Sequence, residues 1–201
     1  MVQAGTMLPS LPLLLLGLGA SAEASSSTGG PAGALPRRPC DIFAAGQTPC
    51  VAAHSTVRAL FAAYAGPLYQ VRRATDNATL DVAVEAAGGF AAVAPQEAFC
   101  FATRCVFWKL YDQSGKGNHL TVAPPGGADP RWDSPADAAA DPLKVGGHNV
   151  YGLRMDPPSG YRCDNTTDIA VGDEAETMYA VFNGSHYNNA CCFDCGSTSR
   201  A

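Results

Sequence analysis

The chain has 201 residues, of which 47% are hydrophobic and 15% charged, enough apolar material for one sizeable core and too little charge for an intrinsically disordered chain. Its net charge of -5 comes from scattered Asp and Glu, and no run of Lys or Arg supplies a phosphate-binding face. Nucleic acid is thereby excluded as a partner class.

The first feature in chain order is a short apolar run at 11–20 (LPLLLLGLGA), followed by Ala20-Ser21-Ala22, an A-x-A cleavage pattern. The run is well short of the ~20 apolar residues needed to span a bilayer. Residues 1–22 therefore read as a secretory signal peptide, although the stretch before the run carries no Lys or Arg, and no membrane association is expected after cleavage. Residues 23–39 (EASSSTGGPAGALPRRP) hold almost nothing to bury and predict a flexible leader, so one domain is expected over 40–201.

Within that domain, apolar residues at Val57, Leu60, Phe61 and Tyr64 have the spacing of one helix face, which predicts a short helix over 51–65. Short runs rich in β-branched and aromatic residues at 68–71, 79–84, 106–111, 149–155 and 177–182 predict strands, and the Pro/Gly clusters at 123–135 and 156–160 predict surface loops. Several short strands without a helix after each one favour a β-sandwich over a parallel α/β sheet. Three N-x-[ST] sequons at Asn77, Asn165 and Asn183 predict glycosylated surface positions in a secreted protein.

Eight cysteines lie at 40, 50, 100, 105, 163, 191, 192 and 195, an even count that in an oxidising compartment suggests pairing. Proximity suggests Cys40 with Cys50 and Cys100 with Cys105. Bonding the adjacent Cys191 and Cys192 would close a strained ring, because neighbouring Cα atoms sit closer than an ordinary disulfide requires. Such strain is tolerated mainly where the surroundings fix it, often at a functional site, and two sulfurs side by side could pack against the carbon face of a sugar. A competing arrangement takes His186, Cys191, Cys192 and Cys195 as zinc ligands, but this cluster offers one knuckle where structural zinc normally draws on two. No metal or cofactor is expected.

The stretches CDIFAAGQTPCVAAHST at 40–56, YDQSGKGNHL at 111–120, APPGG at 123–127, GDEAE at 172–176 and MYAV at 178–181, then His186-Tyr187 and ACCFD at 190–194, resemble in order the catalytic domain of the fungal α-L-arabinofuranosidase B family, glycoside hydrolase family 54. The resemblance implies a concanavalin-like β-sandwich of jelly-roll type, incomplete in this chain. It also implies retaining release of terminal arabinofuranose from arabinan and arabinoxylan, with an arabinose-containing plant cell-wall polysaccharide as partner. It further implies disulfides Cys40–Cys50, Cys100–Cys105 and Cys191–Cys192, the last lining the sugar pocket. Two features depart from the family pattern. Cys163 and Cys195 have no cysteine counterparts, leaving them paired with each other or free, and the family's nucleophilic Glu and acid/base Asp fall beyond Ala201. No catalytic residue is therefore assigned within the chain.

Two further clusters carry acids. Asp173, Glu174 and Glu176 include an i, i+2 pair that would share a strand face, but like charges so close in sequence are usually a solvated turn and strand start. The loop Asp112-Gln-Ser-Gly-Lys-Gly-Asn-His119 alternates oxygen side chains with glycines yet lacks the further acids of a calcium cage, so a tight turn is expected. The function expected is a secreted glycoside hydrolase cut before its catalytic acids. The alternatives are a lectin-like carbohydrate-binding module without turnover and a small redox or zinc protein built on Cys192 and Cys195.

Overall fold

The computed structural model describes residues 36–126 and 130–187, together with the backbone of 2–5 and 194–197. Eleven strands and two short helices are present among them: β1 (Val2–Gly5), α1 (Pro39–Ala45), β2 (Cys50–Ala53), β3 (Pro67–Arg73), β4 (Thr79–Ala83), α2 (Val93–Phe99), β5 (Cys105–Leu110), β6 (Leu120–Val122), β7 (Pro142–Val145), β8 (His148–Tyr151), β9 (Gly160–Cys163), β10 (Glu176–Tyr179) and β11 (Asp194–Ser197). A six-stranded sheet runs in the order β11-β9-β6-β5-β3-β4, β1 lies between β10 and β2 in a second sheet, and β7 pairs with β8. Every pairing is antiparallel except that of β11 with β9. The molecule is a mostly antiparallel β-sandwich.

The local sequence explains the large sheet. In β3, Tyr69 and Val71 are fully buried while Gln70 and Arg72 lie on the other face, the two-residue alternation of a half-buried strand. In β5, Lys109 aligns with Gln70 and Phe107 with Val71, which leaves Trp108 as the extra residue of a β-bulge. The hairpin of β7 and β8 closes through Gly146 and Gly147, both at positive φ (58° and 89°), the conformation a two-residue hairpin turn demands and glycine tolerates.

The inner face of the large sheet packs on Ala136, Ala138, Val150 and the half-buried Leu143 and Leu153. Tyr69 and Phe107 meet edge to face at 5.0 Å. Both buried tyrosine hydroxyls on this face are satisfied. Tyr69 donates to Gln96 Oε1 on α2 at 2.6 Å, while Tyr161 donates to the Phe107 carbonyl and accepts from the Ala136 N–H, each at 2.8 Å. Tyr161→Phe is therefore expected to strand a buried N–H and carbonyl and to cost about 1–3 kcal/mol, read as a lower urea midpoint at unchanged slope.

The helix expected over 51–65 is not formed. Residues 50–53 are a strand, and the backbone beyond them turns to distant partners. The N–H of Ala59 goes to the Gly89 carbonyl, that of Leu60 to Gln113 Oε1 at 2.7 Å and that of Ala62 to Asp41 Oδ2 at 2.9 Å. The Ser55 hydroxyl accepts from the Val57 and Arg58 N–H groups, the local competition by which Ser draws a chain away from helix. The helices stand elsewhere, one at α1 near the N-terminus and a second at α2. The predicted strands over 149–155 and 177–182 shorten to β8 and β10, while β2, β6, β7 and β9 carried no strand prediction. β1 lies inside the predicted signal peptide.

Candidate functional site

Cys191 and Cys192 lie outside the described residues, so the site is built from what flanks them. On one side β11 is held to β9, with Asp194 aligned to Gly160. On the other, the ring of His186 lies 3.1 Å from Asp156 Oδ1, whose other oxygen meets Arg154 at 2.9 Å. Tyr187 is 84% exposed beside His186. Of the proposed zinc cluster, only His186 has a described side chain, and it faces a carboxylate.

Beneath the strands, the loop over 112–119 folds as a hydrogen-bonded hub. Asp112 is buried, and its Oδ1 accepts from the N–H groups of Ala53 and Ser114, each at 2.9 Å. Its Oδ2 accepts from the Ser114 hydroxyl at 2.6 Å and the Asn118 N–H at 3.0 Å. Asn118, 1% exposed, donates to the carbonyls of Val51 and Thr167 and accepts from the Thr167 N–H. Gly115 and Gly117 take φ values of +80° and +79°, which closes the turn without strain. Both Asp112 oxygens face donors, so the loop is a tight turn that joins β2, β5 and the segment before β10.

His54 completes this hub. Its Nε2 lies 2.7 Å from the Asn118 carbonyl, which only accepts, so Nε2 carries the proton. Burial pushes the imidazole pKa down to about 4, only partly opposed by the Asn118 carbonyl and Asp112. His119 accepts from the Asp112 N–H through Nδ1 at 3.0 Å, and burial, then Lys109, hold its pKa below the usual value. Both rings are neutral at pH 7, as hydrogen-bonded supports require.

The acids at 173–176 are exposed. Glu174 accepts from the Val171 N–H at 2.9 Å within its turn, and Glu176 opens β10. A cleft of 330 Å³ between α2 and the β7–β8 hairpin is lined in part by Glu97, Lys144, Asn149 and Tyr151, and Glu97 accepts the Tyr151 hydroxyl at 3.1 Å. Retaining glycoside hydrolysis needs two carboxyl groups ~5–5.5 Å apart across a sugar. None of the acids nominated from the sequence meets that description.

The structure bonds Cys40 to Cys50, tying α1 to β2 with Cα atoms 5.6 Å apart, and Cys100 to Cys105, stapling the α2–β5 turn at 5.8 Å. Cys163 has no disulfide partner among the described residues, its Sγ lies 3.5 Å from the Asn165 carbonyl, and the register sets Ser197 opposite it, with Cys195 opposite Tyr161. All three sequon asparagines are exposed. Asn77 sits in the β3–β4 turn at φ 59°, and the Asn183 side chain accepts from the Ser185 N–H and hydroxyl.

Sheet layering, local disulfides and the loop hub define a mostly antiparallel β-sandwich domain. A family profile described as "Alpha-L-arabinofuranosidase B, catalytic" matches residues 39–201, and the chain belongs to that family. It is 53% identical over 163 residues to the probable alpha-L-arabinofuranosidase B of Aspergillus flavus, covering 79% of this chain and 32% of that protein. With alpha-L-arabinofuranosidase B of Aspergillus kawachii it shares 48% identity over 189 residues, 92% of this chain and 35% of that protein. Among solved structures, a mutant GH54 α-L-arabinofuranosidase soaked with 4-nitrophenyl α-L-arabinofuranoside superposes with a TM-score of 0.74 at 50% identity, over 77% of this chain and 33% of that one. An arabinofuranosidase complexed with arabinofuranosyl-α-1,2-xylobiose gives 0.66 at 47% identity, over 68% and 29%. The chain spans about a third of the length of the curated relatives it matches.

Proposed function

We propose that this chain is the front part of the catalytic domain of a secreted glycoside hydrolase that releases terminal arabinofuranose from arabinan and arabinoxylan with retention of configuration. The observation that carries the reading is the 53% identity over 163 residues with proteins named for that activity. In this reading, Cys191 and Cys192 are bonded to each other and form one wall of the sugar site, flanked by His186 and Tyr187. In the family pattern the two reacting carboxyls lie downstream of the matched segment, and turnover needs both of them. The A-x-A leader, the local disulfides and the exposed sequons support secretion and glycosylation at Asn77, Asn165 and Asn183. Removal of residues 1–22 would also take β1 out of its sheet.

The test is a chimera that joins this segment to the remaining two thirds of the Aspergillus kawachii relative. The chimera is expected to release nitrophenol from 4-nitrophenyl α-L-arabinofuranoside, and the 201-residue chain is expected to release none. A folded chimera without activity, or turnover by the short chain, overturns the reading. Replacing Cys191 and Cys192 together by Ser in the chimera is expected to raise KM about tenfold or more, because a rigid apolar contact becomes two mobile hydroxyls.

A further inference from the structure

The outward face of the six-stranded sheet carries an ordered polar row that the core does not use. Register places Asp81 beside Gln70, Gln70 beside Lys109, Lys109 beside Thr121 and Thr121 beside Arg162. These five side chains share one face across β4, β3, β5, β6 and β9, because their strand neighbours Val71, Leu110, Leu120, Val122 and Tyr161 are buried on the other. At about 4.8 Å per strand the row is about 19 Å long.

Two cations on this face have no carboxylate partner among the described residues, Arg72 and Lys109. Each is laid over an aromatic ring. The Arg72 guanidinium lies 3.3 Å from the centroid of the bulged Trp108, and Lys109 Nζ lies 5.2 Å from that of Tyr111. A guanidinium stacked on an aromatic face loses rotamer freedom and can still offer its N–H fork to a carboxylate. Arg72 and Lys109 are diagonal neighbours across β3 and β5, about 7–8 Å apart. The other charges on the face are already engaged: Asp81 accepts from Gln70 and Tyr111 at 2.8 Å each, and Arg162 is paired with Asp164 at 2.6 Å. Asp81 keeps its negative charge, since Gln70 and Tyr111 are neutral donors, and Arg162 is offset by Asp164, so two aromatic-backed cations against one carboxylate leave this face locally positive in a chain of net charge -5.

We propose that this face binds a polysaccharide bearing uronic-acid carboxylates, with Arg72 and Lys109 taking the carboxylates and Gln70 and Thr121 the hydroxyls. The polysaccharide class rests on the function proposed above. The anionic requirement rests on the charge geometry alone. Such a surface would hold the protein on acidic wall polymers while a separate pocket engages arabinose, an effective-concentration gain without any change at the reacting centre.

The experiment is affinity electrophoresis and calorimetry of the full chain with polygalacturonate, fully methyl-esterified polygalacturonate and neutral debranched arabinan. Binding is expected to the first only, weakening steeply between low and high salt. The R72Q/K109Q double variant is expected to bind about tenfold more weakly, as for the loss of two half-exposed ion pairs, whereas K116Q, which removes one charge from the 112–119 loop, is expected to bind as the parent does. Near-UV circular dichroism of the double variant matching the parent shows that folding is not the cause; if it does not match, the esterified polymer alone decides. Equal binding to the esterified polymer, salt-independent binding, an equal loss in K116Q, or a concentration-dependent dimer abolished by R72Q/K109Q overturns the proposal. Polygalacturonate binding beside an inactive chimera would leave the sheet face standing and the arabinofuranosidase reading fallen.

Discussion

Acidification from pH 7 to pH 4 is expected to remove about 3 kcal/mol of folding stability through His54 alone. The buried imidazole binds its proton only near pH 4 in the folded chain, whereas in the unfolded chain it does so near 6.5. Between those values the unfolded state carries the extra proton, so stability is present above pH 6.5, falls as the pH drops through the window, and levels off below about 4. The difference between the two values at 1.36 kcal/mol each gives the magnitude. Asp76, whose carboxyl Arg73 holds below the usual range, releases its contribution only at lower pH, so the two effects separate. Urea midpoints across pH 3–7 should trace this slope, and NMR titration of the His54 ring gives the same quantity directly. A His54 imidazole titrating near 6.5 in the folded protein would sink the prediction.

The second large effect is expected at Asp112. Removing its carboxylate by Asp112→Ala leaves three donors, the N–H groups of Ala53, Ser114 and Asn118, without their acceptor in a buried site, while the Ser114 hydroxyl can turn to the Val51 carbonyl 2.9 Å away. Individual penalties of about 1–3 kcal/mol do not add fully, because water can enter the space, and a net loss of about 3–5 kcal/mol follows. Set against a total stability of about 5–15 kcal/mol for a domain, that is enough to unfold much of the population at 37 °C. Ser114→Ala removes one donor and its bond, and should cost only about 1 kcal/mol. Because Asn118 carries the hub on to Thr167, amide exchange in Asp112→Ala should accelerate at 165–168 as well as at 51–53. An unchanged urea midpoint would show that the loop does not hold the sheets together.

The helix predicted over 51–65 shows where pattern reading gave out. The spacing of Val57, Leu60, Phe61 and Tyr64 is a true helical period, but periodicity reports which side chains want burial and says nothing of where the N–H groups go. In the fold, Leu60 and Ala62 donate to Gln113 and Asp41, 53 and 21 residues away, partners that no window around Leu60 contains. By contrast the β-branched and aromatic runs at 68–71 and 106–111 are local in the chain, so β3 and β5 were legible. The bulge at Trp108 was not, because it depends on the register against Gln70 and Val71. The site divides in the same way. Adjacent cysteines are visible in a linear sequence, whereas the pairing of Arg72 with Trp108 needs two strands brought together.

By itself the sequence determined the cysteine spacing that permits local bonds, the β-branched and aromatic runs that form strands, and the family motifs, all of which are local in the chain. The tertiary structure alone decided the hub of His54, Asp112 and Asn118, the exposure of the acids at 173–176 and the cationic row across the sheet. Each of these arises from hydrogen bonds, burial and strand register between segments tens of residues apart. Such long-range partners are chosen by the packing of the whole core, which no short stretch encodes.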